Sequence, residues 1–166
     1  MKKNKGFSLV ELIIVIAIMA ILAAAIAPAL IRYIDKSRKA DDVTAAGTIA
    51  TAANAALANE AAYESIDGSM NGTTLIATGN PGSAFTANTG VSGSRNDSGA
   101  KFVEEMNKNL TGNVAPKLKF KKTLDAGVTP TNWYVYVSKD VPMVYVGDNT
   151  NQRTIQLAPS IHEEYQ

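Results

Sequence analysis

The chain has 166 residues, 46% of them hydrophobic and 19% charged, which suits one globular unit with an appendage rather than several domains. Its 16 Lys and Arg against 15 Asp and Glu leave a net charge of +1, so no charge excess draws it to nucleic acid and no nucleic-acid partner is expected. With no cysteine and one histidine, disulfide frameworks, zinc cages, thiol nucleophiles and most imidazole triads have no residues to be made from. This composition argues against an enzyme, and no catalytic residue, metal ligand or cofactor is assigned.

The apolar residues are concentrated near the amino terminus. Leu12 to Ile31 is a run of 20 positions without a charge, enough for about 30 Å of helix, the thickness of a bilayer core. Averaging this run with a polar remainder explains the mean hydropathy of -0.03. Lys2, Lys3 and Lys5 before the run favour a cytoplasmic amino terminus, but Arg32, Lys36, Arg38 and Lys39 follow it at similar density. A secretory signal peptide with an A-x-A-like site at Ala25-Ile26-Ala27 is the alternative; the length of the run and the carboxylate of Glu11 count against it. A carboxylate in a membrane helix costs roughly 2.5–3.5 kcal/mol near the centre unless paired or neutralised. Glu11 therefore either has a functional reason or sits solvated at the headgroups; periodicity does not decide between them.

The segment Lys5-Gly6-Phe7-Ser8-Leu9-Val10-Glu11-Leu12, followed by Ile13-Ile14-Val15-Ile16-Ala17-Ile18, resembles the class III leader and amino terminus of type IV pilins. The matching motif covers roughly the first fifth of the chain. The resemblance implies a leader of residues 1–6, cut by a membrane-embedded prepilin peptidase between Gly6 and Phe7, and N-methylation of Phe7. It also implies that Glu11 meets the Phe7 amine of a neighbouring subunit as an assembly ion pair, and that Pro28 is the proline that kinks such helices. The implied partners are further copies of the chain in a helical homopolymer, the prepilin peptidase, the pilus assembly platform in the membrane, and the membrane itself before assembly. A precursor in the cell membrane would become an extracellular filament serving adhesion, twitching motility or aggregation. The lack of cysteine matches Gram-positive members. A pseudopilin or minor pilin of a type II secretion or DNA-uptake machine shares these motifs, and an exported, membrane-anchored binding module is the alternative of another class.

Beyond the apolar run, Arg32 to Tyr63 is rich in Ala, has no Pro and a single Gly47, so one helix is expected from about Ser8 to about Tyr63. Residues 7–34 would be its membrane or filament-core half and 35–66 its scaffold half, with Val43, Ala46, Ala50, Ala53 and Leu57 marking the packed side. Of the 32 residues from Gly68 to Gly99, 21 are Gly, Ser, Thr or Asn, so this stretch reads as loop, with a short strand at Thr73 to Thr78. It is either a displayed variable loop or a flexible linker. Residues 67–116 are taken as this variable region and include a short amphipathic helix with Phe102, Val103, Met106 and Leu110 on one face, Asp97 or Ser98 as N-cap and Gly112 as stop.

Residues 117–166 should form the sheet, with strands at Lys117 to Leu124, Trp133 to Ser138, Pro142 to Gly147 and Thr154 to Leu157, and a hairpin closed near Lys139-Asp140. In the first of these, period two puts Leu118 and Phe120 opposite Lys117, Lys119 and Lys121, which removes Phe120 from base stacking and favours a solvated basic face. Glu104 and Glu105 point about 100° apart and make a poor acid/base pair. Asp148, Asn149 and Asn151 lack EF-hand spacing, and His162 is expected to face solvent. Asn71, Asn96 and Asn109 each begin a glycosylation-type triplet. The fold expected is thus α+β: a long amino-terminal helix, membrane-spanning in its first half, packed against an antiparallel β-sheet as in type IV pilins.

Overall fold

A computed structural model describes residues 7–166. Lys2, Lys3, Lys5 and Gly6 lie outside the described residues. The chain divides into two compact units, the first ending at Ser37 and the second spanning Arg38–Gln166. In chain order the elements are α1 (Leu9–Leu57), α2 (Glu60–Glu64), β1 (Asn71–Gly79), β2 (Thr86–Ala87), α3 (Ala100–Lys108), β3 (Asn132–Ser138), β4 (Val141–Gly147) and β5 (Ile155–Ala158), with three short 3₁₀ turns. The class is α+β: a long apolar amino-terminal helix and a five-stranded antiparallel sheet against which its later turns pack.

In the first unit every residue from Phe7 to Ile34 is exposed, and the helix continues through Pro28. In the second unit α1 buries Asp42, Ala46, Ile49, Ala52, Ala53 and Ala56, with Val43, Ala50 and Leu57 packed at the margins. This is the side that the Val43, Ala46, Ala50, Ala53 and Leu57 spacing marks, made mostly of alanine so that helix and sheet approach closely. α1 ends six residues before the expected Tyr63. Asn59 interrupts it: its backbone is extended and its side chain accepts the Ala62 N–H (3.1 Å), so it caps the separate α2.

The sheet order is β2-β1-β3-β4-β5, all antiparallel. Trp133, Val135, Val137, Val144, Val146, Ile155 and Leu157 face the helix side and form the centre of the core. The alternate residues Tyr134, Tyr136 and Tyr145 form a second cluster with Leu75 and Met143, the rings of Tyr136 and Tyr145 meeting edge to face at 5.4 Å. β3 and β4 join through Lys139-Asp140, both at positive φ (46° and 64°), the two-residue hairpin geometry that follows the strand twist.

In the glycine-rich stretch the short strand expected at Thr73 to Thr78 forms, two residues longer at its start and one at its end, while the remainder is more ordered than a loop reading implies. β1 takes nine of its residues and lies between β2 and β3 inside the sheet. Its threonines are β-branched and suit a pleated surface, although the composition reads as loop. The rest of the stretch is tied back: the Ser92 N–H donates to Ser69 Oγ (2.8 Å), Ser94 bonds to the Asp67 carboxylate through both N–H and hydroxyl, and Phe85 and Val91 are buried. Gly93 passes so close to the Glu64 carbonyl that a Cβ would overlap it. α3 buries Phe102, Val103 and Met106 as expected, but Gly99 at φ 76° is its N-cap and Asn109 its C-cap, in place of Asp97 or Ser98 and Gly112.

The expected strand at Lys117 to Leu124 does not form. Its alternation survives, since Leu118 and Phe120 are buried and Lys117, Lys119 and Lys121 exposed. The N–H groups of Lys119 and Phe120 donate to the Asp42 carboxylate (2.7 and 3.0 Å) rather than to a neighbouring strand. An acidic side chain of α1 thus takes the place of a ladder. The carboxy-terminal turn closes over this segment: Tyr165 is buried edge-on against Phe120 (5.9 Å), the Lys39 ammonium lies 4.9 Å from the Phe120 ring and donates to the Glu164 carbonyl, and the Glu164 carboxylate accepts the N–H groups of Asp125 and Ala126.

Because the core residues all lie at or beyond Ala46, a fragment of Arg38–Gln166 should be a soluble monomer with one cooperative unfolding transition. An aggregated or non-cooperative fragment would show that the first unit is needed for folding. Asp42 carries a second expectation. Burial raises its carboxyl above the ordinary 3.8 even though two N–H donors oppose the shift. A folded-state pKa above the unfolded one stabilises fully below the unfolded value and less as pH rises through the folded one. The stability difference between wild type and Asp42→Asn should therefore shrink from acid to neutral pH, as read by denaturant titrations. A difference that grows with pH would mean that the two N–H bonds outweigh desolvation.

Candidate amino-terminal assembly site

The site is the first turn of α1. Phe7 is 92% exposed and precedes the helix, which begins at Leu9. Ser8 occupies the N-cap position: its carbonyl accepts the Leu12 N–H (3.3 Å), its hydroxyl accepts the Val10 N–H (3.3 Å), and its own N–H donates to the Glu11 carboxylate at 2.9 Å. Ser8 and Glu11 form a reciprocal cap in which the acid three residues into the helix reaches back to the cap's backbone. Ser8-x-x-Glu11 ahead of an apolar run is the sequence signature of this arrangement, and the sequence reading passes over it.

Glu11 is the single charge between Phe7 and Ile31. The cap carries its carboxylate back to the peptide N–H that directly follows Phe7, so the two residues of the expected ion pair lie at the same helix end. One N–H uses a fraction of what a carboxylate can accept, and acceptor capacity remains for a cation. The position also suits an anion, because the helix dipole places partial positive charge at the amino end.

Around this end the surface is apolar. Fourteen large hydrophobic side chains between Leu9 and Ile31 are each at least 44% exposed. The apolar part of α1 is long and hydropathic enough to cross a membrane, with a best-window mean hydropathy of 3.0 and none of that window buried. Pro28 lies within it, where its missing N–H leaves one carbonyl of the preceding turn without its helical donor. The site can hold an anion at a helix start and present a greasy cylinder behind it.

The remaining candidates have structural explanations. Glu104 bonds to Lys101 (2.8 Å) and Lys108 (2.9 Å), which lower its pKa to about 2, and Glu105 bonds to Lys108 (2.9 Å). Asp148 accepts the N–H groups of Thr150 and Asn151 (2.8 and 2.7 Å) in a local turn, and these hold its carboxyl below the ordinary range. His162, expected in solvent, is half-buried and caps the last 3₁₀ turn, its Nδ1 accepting the Glu164 N–H (3.4 Å). Asp42, whose i+4 spacing from Arg38 suggests a surface ion pair, is instead buried, and its spacing of four, three and four to Ala46, Ile49 and Ala53 places it on the buried stripe.

No solved structure matches the chain. Residues 1–27 match the family model of the prokaryotic N-terminal methylation motif. Together with the exposed apolar helix that continues it, this match shows that the chain carries the amino-terminal motif of a type IV pilin-like prepilin.

Proposed function

We propose that the chain is a structural subunit that polymerises into a type IV pilus filament. On this reading prepilin peptidase removes residues 1–6, Phe7 becomes an N-methylated terminal amine, and the apolar half of α1 holds the subunit in the membrane until it joins the filament. The observation that carries the proposal is the unbroken exposure of the apolar helix behind a single capped carboxylate. Burying a Val, Leu or Ile side chain contributes about 1.5–3 kcal/mol. Fourteen such side chains left in water would cost more than the whole folding stability of an ordinary domain, about 5–15 kcal/mol. Only an apolar surrounding covers them, first lipid and then the same surface of other copies.

Glu11 supplies register. A terminal ammonium on Phe7 and a carboxylate on Glu11 lie at one helix end, so a neighbour offset along the filament brings its amine to this carboxylate. A subunit docked out of register leaves two unpaired charges in an apolar core. Breaking a buried pair costs on the order of 3–5 kcal/mol.

Two outcomes follow. Changing Gly6 to a bulky residue should leave unprocessed precursor in the membrane, and mature-size protein by mass spectrometry would count against cleavage after Gly6. Glu11→Ala and Glu11→Gln should both be processed and retained in the membrane. Both should lose sheared filament yield, because a buried ammonium left alone shifts the assembly equilibrium by about 100-fold or more at 1.36 kcal/mol per decade. Glutamine keeps an acceptor for the Ser8 N–H, so wild-type yield from Glu11→Gln alone would reassign Glu11 to helix capping. Normal yield from both variants would sink the assembly role.

A further inference from the structure

Four cations, Arg32, Lys36, Arg38 and Lys39, follow the apolar run, and the fold treats them differently. Arg38 and Lys39 belong to the second unit. Lys39 is engaged there: its ammonium lies 4.9 Å from the Phe120 ring and 5.7 Å from the Tyr165 ring and donates to the Glu164 carbonyl. Arg32 and Lys36, in the first unit, are exposed, and among the described residues no ion pair engages them. They stand four positions apart on one side of α1, and Tyr33, 73% exposed, lies with them within about 100° of helix arc. Asp35 in the same turn is half-buried and lies outside this arc.

This face begins directly after Ile31, the last residue of the uncharged run. It is therefore continuous with the surface that lipid covers in the membrane-held precursor, and the proposal rests on that reading. Two cations beside an amphipathic ring at the end of a span match a headgroup layer: phosphates meet the guanidinium and ammonium, and the tyrosine ring sits between them and the acyl chains. We propose that Arg32, Tyr33 and Lys36 bind anionic phospholipid headgroups and fix the depth of α1 in the bilayer. Twenty-one positions separate Glu11 from Arg32, about 32 Å of helix, close to the ~30 Å of a hydrocarbon core. With Arg32 held at one headgroup layer, Glu11 lies at the opposite layer instead of in hydrocarbon. The anchor thus keeps the assembly carboxylate solvated until a neighbour's amine reaches it. A free phosphate ion has no use for Tyr33 or the adjoining apolar run, so the geometry favours the lipid.

The chain has no cysteine, so Ser37→Cys gives one labelling site just past this face. The full-length chain carrying a fluorophore there is placed in vesicles of phosphatidylcholine with phosphatidylglycerol, and quenching by trace spin-labelled forms of the two lipids is compared. Phosphatidylglycerol should quench preferentially, and the preference should fall with salt. A cation near an anionic bilayer surface is worth roughly five-fold in binding, so Arg32→Gln or Lys36→Gln should each cut the preference by about that factor. Both together should abolish it, and Lys39→Gln should leave it unchanged. A fluorophore on Val10→Cys reads the depth of the other end: headgroup spin labels should quench it more than labels at the chain centre. Equal quenching by the two lipids, a preference that survives the double substitution, or stronger chain-centre quenching at Val10→Cys overturns the proposal. So does loss of the preference when inorganic phosphate replaces chloride at equal ionic strength, which makes the ligand a free anion. A chain that does not float with the vesicles overturns the membrane-held reading itself; one that floats without lipid preference overturns the headgroup anchor alone.

Discussion

An apolar cylinder that its own chain does not cover is the constraint from which the rest of this molecule follows. From Leu9 to Ile31 the side chains gain nothing by folding within the subunit, since all stay exposed. Their free energy is realised only when something else surrounds them, and lipid tails and the helices of other copies are equivalent in this respect. A dispersed monomer in water is the one state this surface excludes.

The second unit carries a core built entirely from its own residues. Its stretch of α1 is lined with alanine rather than leucine, so bulk comes from the sheet side, from Trp133, Ile155 and Leu157, and from Phe102 of α3. The buried polar atoms of this core are mostly used for joining. Asp42 takes two N–H groups of an unpaired segment, and Ser65 accepts the Phe102 N–H while donating to the Ala62 carbonyl. Each costs desolvation and offsets it by fixing a segment that has no ladder of its own.

Glu11 and Asp42 show the same side chain chemistry in two settings. Both accept backbone N–H groups, but Glu11 caps its own helix on an exposed surface and Asp42 bridges residues 77 and 78 positions away inside a core. The first is a local device that stays available to a cation. The second is buried and holds two N–H groups of a distant segment.

What the sequence determined by itself is whatever depends on near neighbours along the chain: the apolar run, the amino-terminal methylation-type motif of residues 1–27, the long helix, the amphipathic face of α3, and the Lys139-Asp140 hairpin. Periodicity, charge and turn chemistry act over a few residues and are visible in one dimension. Tertiary structure alone decided that the strand expected at Thr73 to Thr78 takes a place inside the sheet, between β2 and β3, and that Lys117 to Leu124 stays outside it. In each case the deciding partner lies far away in sequence, β3 for the first and Asp42 for the second. The propensity of a segment cannot report a hydrogen bond that another segment supplies.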